Sequence, residues 1–246
     1  MRIFRNASGG TRTVWMIVLF FAILSAITLP VIILSGELHF PVTMFHQALI
    51  LITVNVTCQL IIKRNISELT GQFDLYFLKG FFNGSLLGTA LMIVPAVFLY
   101  ALSLVAWNGG TLNSEAMLPV ILTVFFGAVA EEFLFRGFLF QRIFHGWGLW
   151  PAQIVTSLLF LLTHINNPGM TGITMIIESF NIFAASILFG FAYVKTNGLA
   201  MPIGLHFMAN LIQGLVLGFS VSGHDDVSLL KPVFNTTSTL LTGGEF

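Results

Sequence analysis

Residues 127–137 read Gly-Ala-Val-Ala-Glu-Glu-Phe-Leu-Phe-Arg-Gly, so two adjacent carboxylates and an arginine lie within an apolar run that begins at Leu118. A charge near the centre of a bilayer costs at least ~2.5–3.5 kcal/mol, so these groups require partners and a function. Glu132 and Arg136 are four residues apart and share one face of a helix. Glu131 is rotated by about 100° from Glu132. One carboxylate is therefore expected to pair within the helix, which leaves Glu131 for chemistry or for another partner.

The composition of the whole chain indicates a polytopic membrane protein. Of its 246 residues 56% are hydrophobic and only 8% are charged, whereas soluble domains carry about 25% charged residues. The formal net charge is zero, so nothing indicates binding to nucleic acid. The single cysteine, Cys58, cannot form an internal disulfide and is expected to be a small buried apolar residue.

Seven segments are apolar enough to be candidate membrane spans, each of which needs about 20 residues. We expect an all-α, polytopic transmembrane helical bundle of about seven spans, or eight, in a single domain that covers residues 1–246. The fifth segment is short, so it is expected to be tilted, to lie in a locally thin site, or to extend past His164. The segments are Val14–Ser35, Met44–Ile62, Phe81–Ala106, Met117–Ile143, Trp150–His164, Ile173–Lys195 and Leu199–Phe219.

The distribution of charge predicts the orientation, because cytoplasmic loops are enriched in lysine and arginine. If the spans alternate, the opposite loops contain a single basic residue, Lys231, together with acidic residues: Glu37, Glu115, Asp225 and Asp226. The N-terminus is then cytoplasmic, and the expected location is the plasma (inner) membrane of a prokaryote, as an integral multi-pass protein. The basic residues on the cytoplasmic side are Arg2, Arg5, Arg12, Lys63, Arg64, Lys79, Arg142 and Lys195.

Histidines occur at two positions within the later spans. His164 ends the fifth span, and His206 lies four residues before Asn210 on one face of the seventh. Ionisable residues inside a membrane usually face the bundle interior or an aqueous cavity and mark function. At 1.5 Å per residue, Glu131 and His164 lie about 20 Å from their cytoplasmic helix ends, and His206 about 12 Å. One cavity near the middle of the membrane is therefore expected to hold all of them.

Other polar residues carry less weight. Glu178 and Asn181 share a face of the sixth span, and Glu178 is a second-tier candidate that lines the cavity or pairs with a neighbour. The remaining histidines are expected to be interfacial or solvated: His39, His46, His145 and His224.

Three short motifs stand in order in successive hydrophobic segments: Glu131-Glu132-x-x-x-Arg136, Phe160-x-x-x-His164 and His206-x-x-x-Asn210. Over roughly Pro119–Ser220 the chain resembles the CAAX prenyl endopeptidase and bacteriocin-processing (CPBP, or Abi) family of glutamate intramembrane proteases. The resemblance implies a catalytic core at about residues 117–220. The first three spans carry no such signature.

The resemblance implies a role for each motif residue. Glu131 is expected to be the general base that activates a water molecule, and His164 to help hold or polarise that water. His206 and Asn210 are expected to stabilise the oxyanion of the tetrahedral intermediate. Supporting roles fall to Glu132, Arg136 and Phe160.

The residues leave metal dependence open. We favour catalysis without a cofactor; the alternative is zinc held by Glu131, His164 and His206, which would leave a fourth position open. The sequence has no His-Glu-x-x-His helix, and Arg136 would bring a positive charge close to a dication.

Three functions are compatible with this pattern. The first is a glutamate-type peptidase, or a metallo-type one, that cleaves a membrane-tethered peptide or protein, with or without a prenyl group. The second is a proton-coupled transporter, which the lack of inverted repeats and of a pair of broken helices disfavours. The third is a non-catalytic bacteriocin-immunity protein, against which the intact motif set argues.

Overall fold

The structure is a helical bundle with a small two-stranded sheet at one end. The computed structural model describes residues 12–111, 113–221, 227–236 and 238. Five residues used above to predict orientation or solvation, Arg2, Arg5, His224, Asp225 and Asp226, lie outside them. In chain order the elements are α1 (Thr13–Leu38), α2 (Met44–Ile61), α3 (Ser67–Thr70), α4 (Leu75–Ala101), β1 (Val105–Gly109), α5 (Ser114–Arg136), α6 (Phe138–Trp147), α7 (Leu149–His164), α8 (Gly172–Thr196), α9 (Ala200–Asn210), a π-helical segment (Leu211–Val216) and β2 (Leu230–Phe234).

Helices occur at every position where the hydrophobic pattern predicts a span. Within the described chain, five helical stretches are long and apolar enough to cross a membrane: Thr13–Leu38, Met44–Ile61, Ser67–Ala101, Ser114–Trp147 and Gly172–Thr196. Two shorter apolar helices, Leu149–His164 and Ala200–Val216, complete the bundle. The predicted fold class, a polytopic transmembrane helical bundle, is confirmed.

The third predicted segment, Phe81–Ala106, has the wrong bounds at both ends. The helix starts earlier because the Asp74 carboxylate caps it, accepting from the amides of Tyr76 and Phe77 at 2.9 and 3.0 Å. It ends at Ala101, and the chain then enters β1, which pairs antiparallel with β2. The hydrophobicity of this stretch therefore belongs partly to a strand whose partner lies far away in the sequence.

Two other predicted spans are not uniform α-helices. The fourth, Met117–Ile143, is divided between α5 and α6 at Gly137. The seventh, Leu199–Phe219, changes to a π-helix directly after Asn210. Such π-helical turns are rare and frequently occur at functional sites.

Glycines allow α4 and α9 to pack backbone to backbone. Gly80, Gly84 and Gly88 are buried and recur every fourth residue on one face of α4. A Cβ at Gly88 would lie under 3.0 Å from two backbone atoms of α9, the carbonyl oxygen of Leu205 and the amide nitrogen of Ala209. Real Cβ atoms essentially never approach that closely. The glycine face therefore fixes the position of the helix that carries His206.

The connectors gather at two ends of the bundle. At the first, which we call the α6 end, the Leu199 amide donates to the Thr70 carbonyl oxygen at 3.2 Å. At the second, the sheet end, β1 pairs with β2, and Trp107 Nε1 donates to the Leu217 carbonyl oxygen at 2.9 Å. The 27 residues of α4 join the two ends over about 40 Å.

Candidate active site

The motif-bearing helix α5 ends at a turn that is held by α2. Asn55 of α2 is completely buried; its Oδ1 accepts from the Phe138 amide at 2.6 Å, and its Nδ2 donates to the Leu51 carbonyl oxygen at 2.7 Å. A side chain at Gly137 would collide with Asn55, so only glycine fits there. The turn ends α5 immediately after Arg136.

Arg136 is fully buried and binds two polar residues. Its Nη1 lies 3.2 Å from Glu132 Oε1, so the predicted pair is present. Its Nη2 donates to both the carbonyl oxygen and the hydroxyl oxygen of Ser186, each at 2.7 Å. Three rings surround the guanidinium, with centroids 5.1 to 5.8 Å from Cζ: Phe135, Phe160 and Phe189. Breaking a buried pair of this kind typically costs about 3–5 kcal/mol, because it leaves an uncompensated charge.

His206 is held by the same carboxylate. Its Nδ1 lies 2.8 Å from Glu132 Oε1, and because an ionised carboxylate only accepts, Nδ1 carries the proton and donates it. The imidazole also stacks on Phe189, with centroids 4.6 Å apart and planes at 13°. These two contacts fix the ring so that Nε2 lies 3.8 Å from Glu131 Oε2.

The two adjacent glutamates have different surroundings. The Glu132 side chain is 0% exposed and binds Arg136 and His206. The Glu131 side chain is 34% exposed and lines a cavity. Its Oε2 forms no hydrogen bond with any described residue. The structure thus leaves the first carboxylate available to a ligand and uses the second to organise its neighbours.

His164 is oriented by its own helix. Its Nδ1 lies 2.7 Å from the Phe160 carbonyl oxygen, to which it donates, because a carbonyl oxygen only accepts. In the neutral ring Nε2 then carries a lone pair. The side chain is 9% exposed and lines the same cavity as Glu131.

A single cavity of about 1270 Å³ joins these side chains. Its lining includes all four residues predicted to be catalytic: Glu131, His164, His206 and Asn210. The volume exceeds the 300–1,000 Å³ that is usual for small-molecule pockets, so a peptide segment fits. Glu178 lines the cavity as well, where Asn181 Nδ2 donates to its Oε2 at 3.4 Å.

Some residues that organise the site escaped the sequence analysis. Asn55 and Ser186 could have been found from the sequence, because each is a polar residue within an apolar span. No feature of the sequence distinguishes Phe189, since it is one of 26 phenylalanines. Three other histidines do not line the cavity and bond near their own helix ends: His39, His46 and His145.

The zinc alternative requires a set of ligand side chains close to one another. In the ranges that the structure describes, no three His, Cys, Asp or Glu side chains are arranged to hold a metal ion. The described residues thus show no three-ligand metal site, and no step below uses a metal. That catalysis needs no cofactor stays a prediction.

A family comparison identifies the segment that carries these residues. The model of the family described as type II CAAX prenyl endopeptidase Rce1-like matches residues 113–212. The chain is therefore similar to the Rce1-like family over this segment. The family predicted from the three motifs is confirmed, and all four predicted catalytic residues fall within the Rce1-like segment. Within this segment the chain is similar to the CAAX prenyl endopeptidases, and the helical stretches around it are long and apolar enough to cross a membrane.

A curated relative adds no further information on activity. An "Uncharacterized 24.3 kDa protein" of Escherichia coli is 29% identical over 143 residues, which is 54% of this chain. The match covers 63% of that protein, so the chain spans less than two thirds of the relative's length. No solved structure matches the chain.

Proposed function

We propose that this chain is an intramembrane endopeptidase in which Glu131 activates water to hydrolyse a peptide bond. One observation supports the proposal above the others. A half-buried carboxylate, two oriented imidazoles and an amide line one cavity inside an apolar bundle. Groups that are this costly to bury usually serve function.

The first step is attack on the peptide carbonyl. Glu131 takes a proton from water as the water oxygen bonds to the carbonyl carbon, and a tetrahedral intermediate forms. His164 Nε2 accepts a hydrogen bond from the same water, since Nδ1 is bonded to the Phe160 carbonyl oxygen. A positioned general base of this kind typically increases the rate by about 10²–10⁴-fold.

The second requirement is stabilisation of the negative oxygen. The Asn210 amide and His206 Nε2 donate to it from α9. Because His206 Nδ1 already donates to Glu132, donation from Nε2 requires a doubly protonated ring. Loss of one such donor typically costs about 10²–10³ in kcat.

The last step breaks the C–N bond. Glu131 returns its proton to the departing nitrogen, the carbonyl re-forms, and a carboxylic acid and an amine result. Glu132 and Arg136 act through His206 and are positioning residues.

The proposed substrate is a membrane-tethered peptide or protein. The site lies within an apolar bundle, so a substrate anchored in the same bilayer reaches it without leaving the membrane. Whether a prenyl group contributes to binding is decided by experiment: paired CAAX peptides, with and without farnesyl, report the difference in KM directly.

The test uses purified full-length protein and a panel of membrane-tethered peptides, with Glu131→Ala and His164→Ala beside a control, Glu178→Ala, in the same cavity. We expect cleavage by the parent and the control and strong loss in the other two. A Glu131→Ala protein that cleaves at the parental rate refutes the mechanism. If the parent cleaves no peptide, the other two functions are tested. Transport of a solute by the parent would favour the transporter alternative, and protection against a bacteriocin would favour the immunity alternative.

A further inference from the structure

Among the described residues, the lining of the cavity runs along α4 and α8 and reaches the sheet end of the bundle. Its lining extends from Glu131 and His206 to the sheet end, where it includes Pro168, Gly169, Leu217, Ser228, Lys231 and Pro232. Towards the α6 end the site is closed by side chains that are at most 1% exposed: Arg136, Leu139, Phe140 and Tyr193. Of the two ends, the site is therefore accessible from the sheet end.

The charges of the described residues separate between the same two ends. The start of α1 lies at the α6 end, because a side chain at Gly146 of α6 would meet Thr13. The α6 end and the helix turns next to it thus carry Arg12, Lys63, Arg64, Lys79, Arg142 and Lys195. In the described part of the sheet end, Lys231 is the one basic residue, and Glu37 and Glu115 are acidic.

We infer that the active-site cavity opens to the extracytoplasmic face of the membrane. Cytoplasmic loops carry the excess of lysine and arginine, which makes the closed α6 end cytoplasmic and the sheet end external. His206 lies 11 residues before Leu217, so the site is about 16 Å below the outer opening.

This orientation narrows the substrate class, a step that rests on the proposed function. The scissile bond belongs to a peptide segment that is presented from the outer side of the bilayer, such as the outward part of a membrane-anchored precursor. The buried side chains of Arg136, Leu139, Phe140 and Tyr193 lie between Glu131 and the cytoplasmic surface, which disfavours a lipidated tail presented from that side.

The chain suits a cysteine-labelling test of orientation. Its one native cysteine, Cys58, is 0% exposed, so full-length protein gives little background. Single cysteines replace two exposed residues in separate variants: Thr111→Cys at the rim of the cavity and Ser67→Cys at the α6 end. A membrane-impermeant maleimide is added to spheroplasts before and after permeabilisation.

We expect Thr111→Cys to be labelled in intact spheroplasts and Ser67→Cys only after permeabilisation. Protection of Thr111→Cys, or labelling of Ser67→Cys, in intact spheroplasts overturns the inference. Labelling needs no substrate, so it decides orientation independently of activity. In oriented proteoliposomes, a peptide anchored with its cleavage site on the sheet-end side should be the one that is cleaved. Cleavage only of the oppositely anchored peptide also overturns the inference, whereas a failure of the proposed function shows as no cleavage of either.

Discussion

Substitution of Gly88 by alanine tests whether close packing of α4 on α9 sets the active-site geometry. The added methyl group would lie under 3.0 Å from backbone atoms of both Leu205 and Ala209, which flank His206. Backbone cannot rotate away as a side chain does, so α9 must move, by on the order of 1 Å. A misplacement of about 1 Å costs roughly 10²-fold in rate, and overpacking costs about 1–3 kcal/mol of stability. We therefore expect kcat/KM to fall by about 10²-fold.

Gly127→Ala is the matched control for this experiment. Gly127 lies within α5, and the nearest atoms to an added Cβ belong to the flexible Met44 side chain at 4.0 Å. Both substitutions gain the same intrinsic helix propensity, about 1 kcal/mol, so their difference isolates the clash. The assay is peptide cleavage together with thermal unfolding in detergent. Equal activity and equal unfolding temperature for the two variants would refute the argument from packing.

Three further substitutions distinguish residues that position other groups or stabilise the fold from residues that take part in catalysis. Glu132→Gln keeps an acceptor for the imidazole but removes the charge, so kcat should fall by about 10–100-fold with little change in KM; unchanged kcat contradicts the positioning role. Glu178→Gln should keep kcat within about threefold, or about 0.6 kcal/mol, in the same cleavage assay; a loss as large as that of Glu131 variants would make it catalytic. Asn55→Ala leaves the first amide of α6 without an acceptor and should lower the free energy of unfolding by about 1–3 kcal/mol, measured against the exposed Asn108→Ala; equal stability would show that the cap is dispensable.

The helices were predictable because hydrophobicity is a local property. Four predicted spans agree with α1, α2, α7 and α8 to within a few residues, since each is one continuous apolar run. The sheet was missed because β1 and β2 lie far apart in the chain and each is too short to show a pattern by itself. The division of the fourth span at Gly137 depends on Asn55 of another helix, which no local pattern contains.

The residues that line the site were easier to predict from the sequence than the contacts between them. The four-residue spacing of Glu132 and Arg136 predicted their ion pair, which the structure contains at 3.2 Å. That Glu132 also binds His206 could not be inferred, because the contact depends on how α5 packs on α9. The catalytic roles of Glu131, His164, His206 and Asn210 stay predictions until activity is measured.

The most direct measurement is the initial rate of cleavage of a membrane-tethered peptide by Glu131→Gln and by the parent, with and without exhaustive chelation. Loss of a general base is expected to reduce kcat by about 10²–10⁴-fold, and chelation should leave the parent's rate unchanged. A Glu131→Gln protein within a few-fold of the parent, or a parent that chelation inactivates and zinc restores, would contradict hydrolysis by glutamate-activated water.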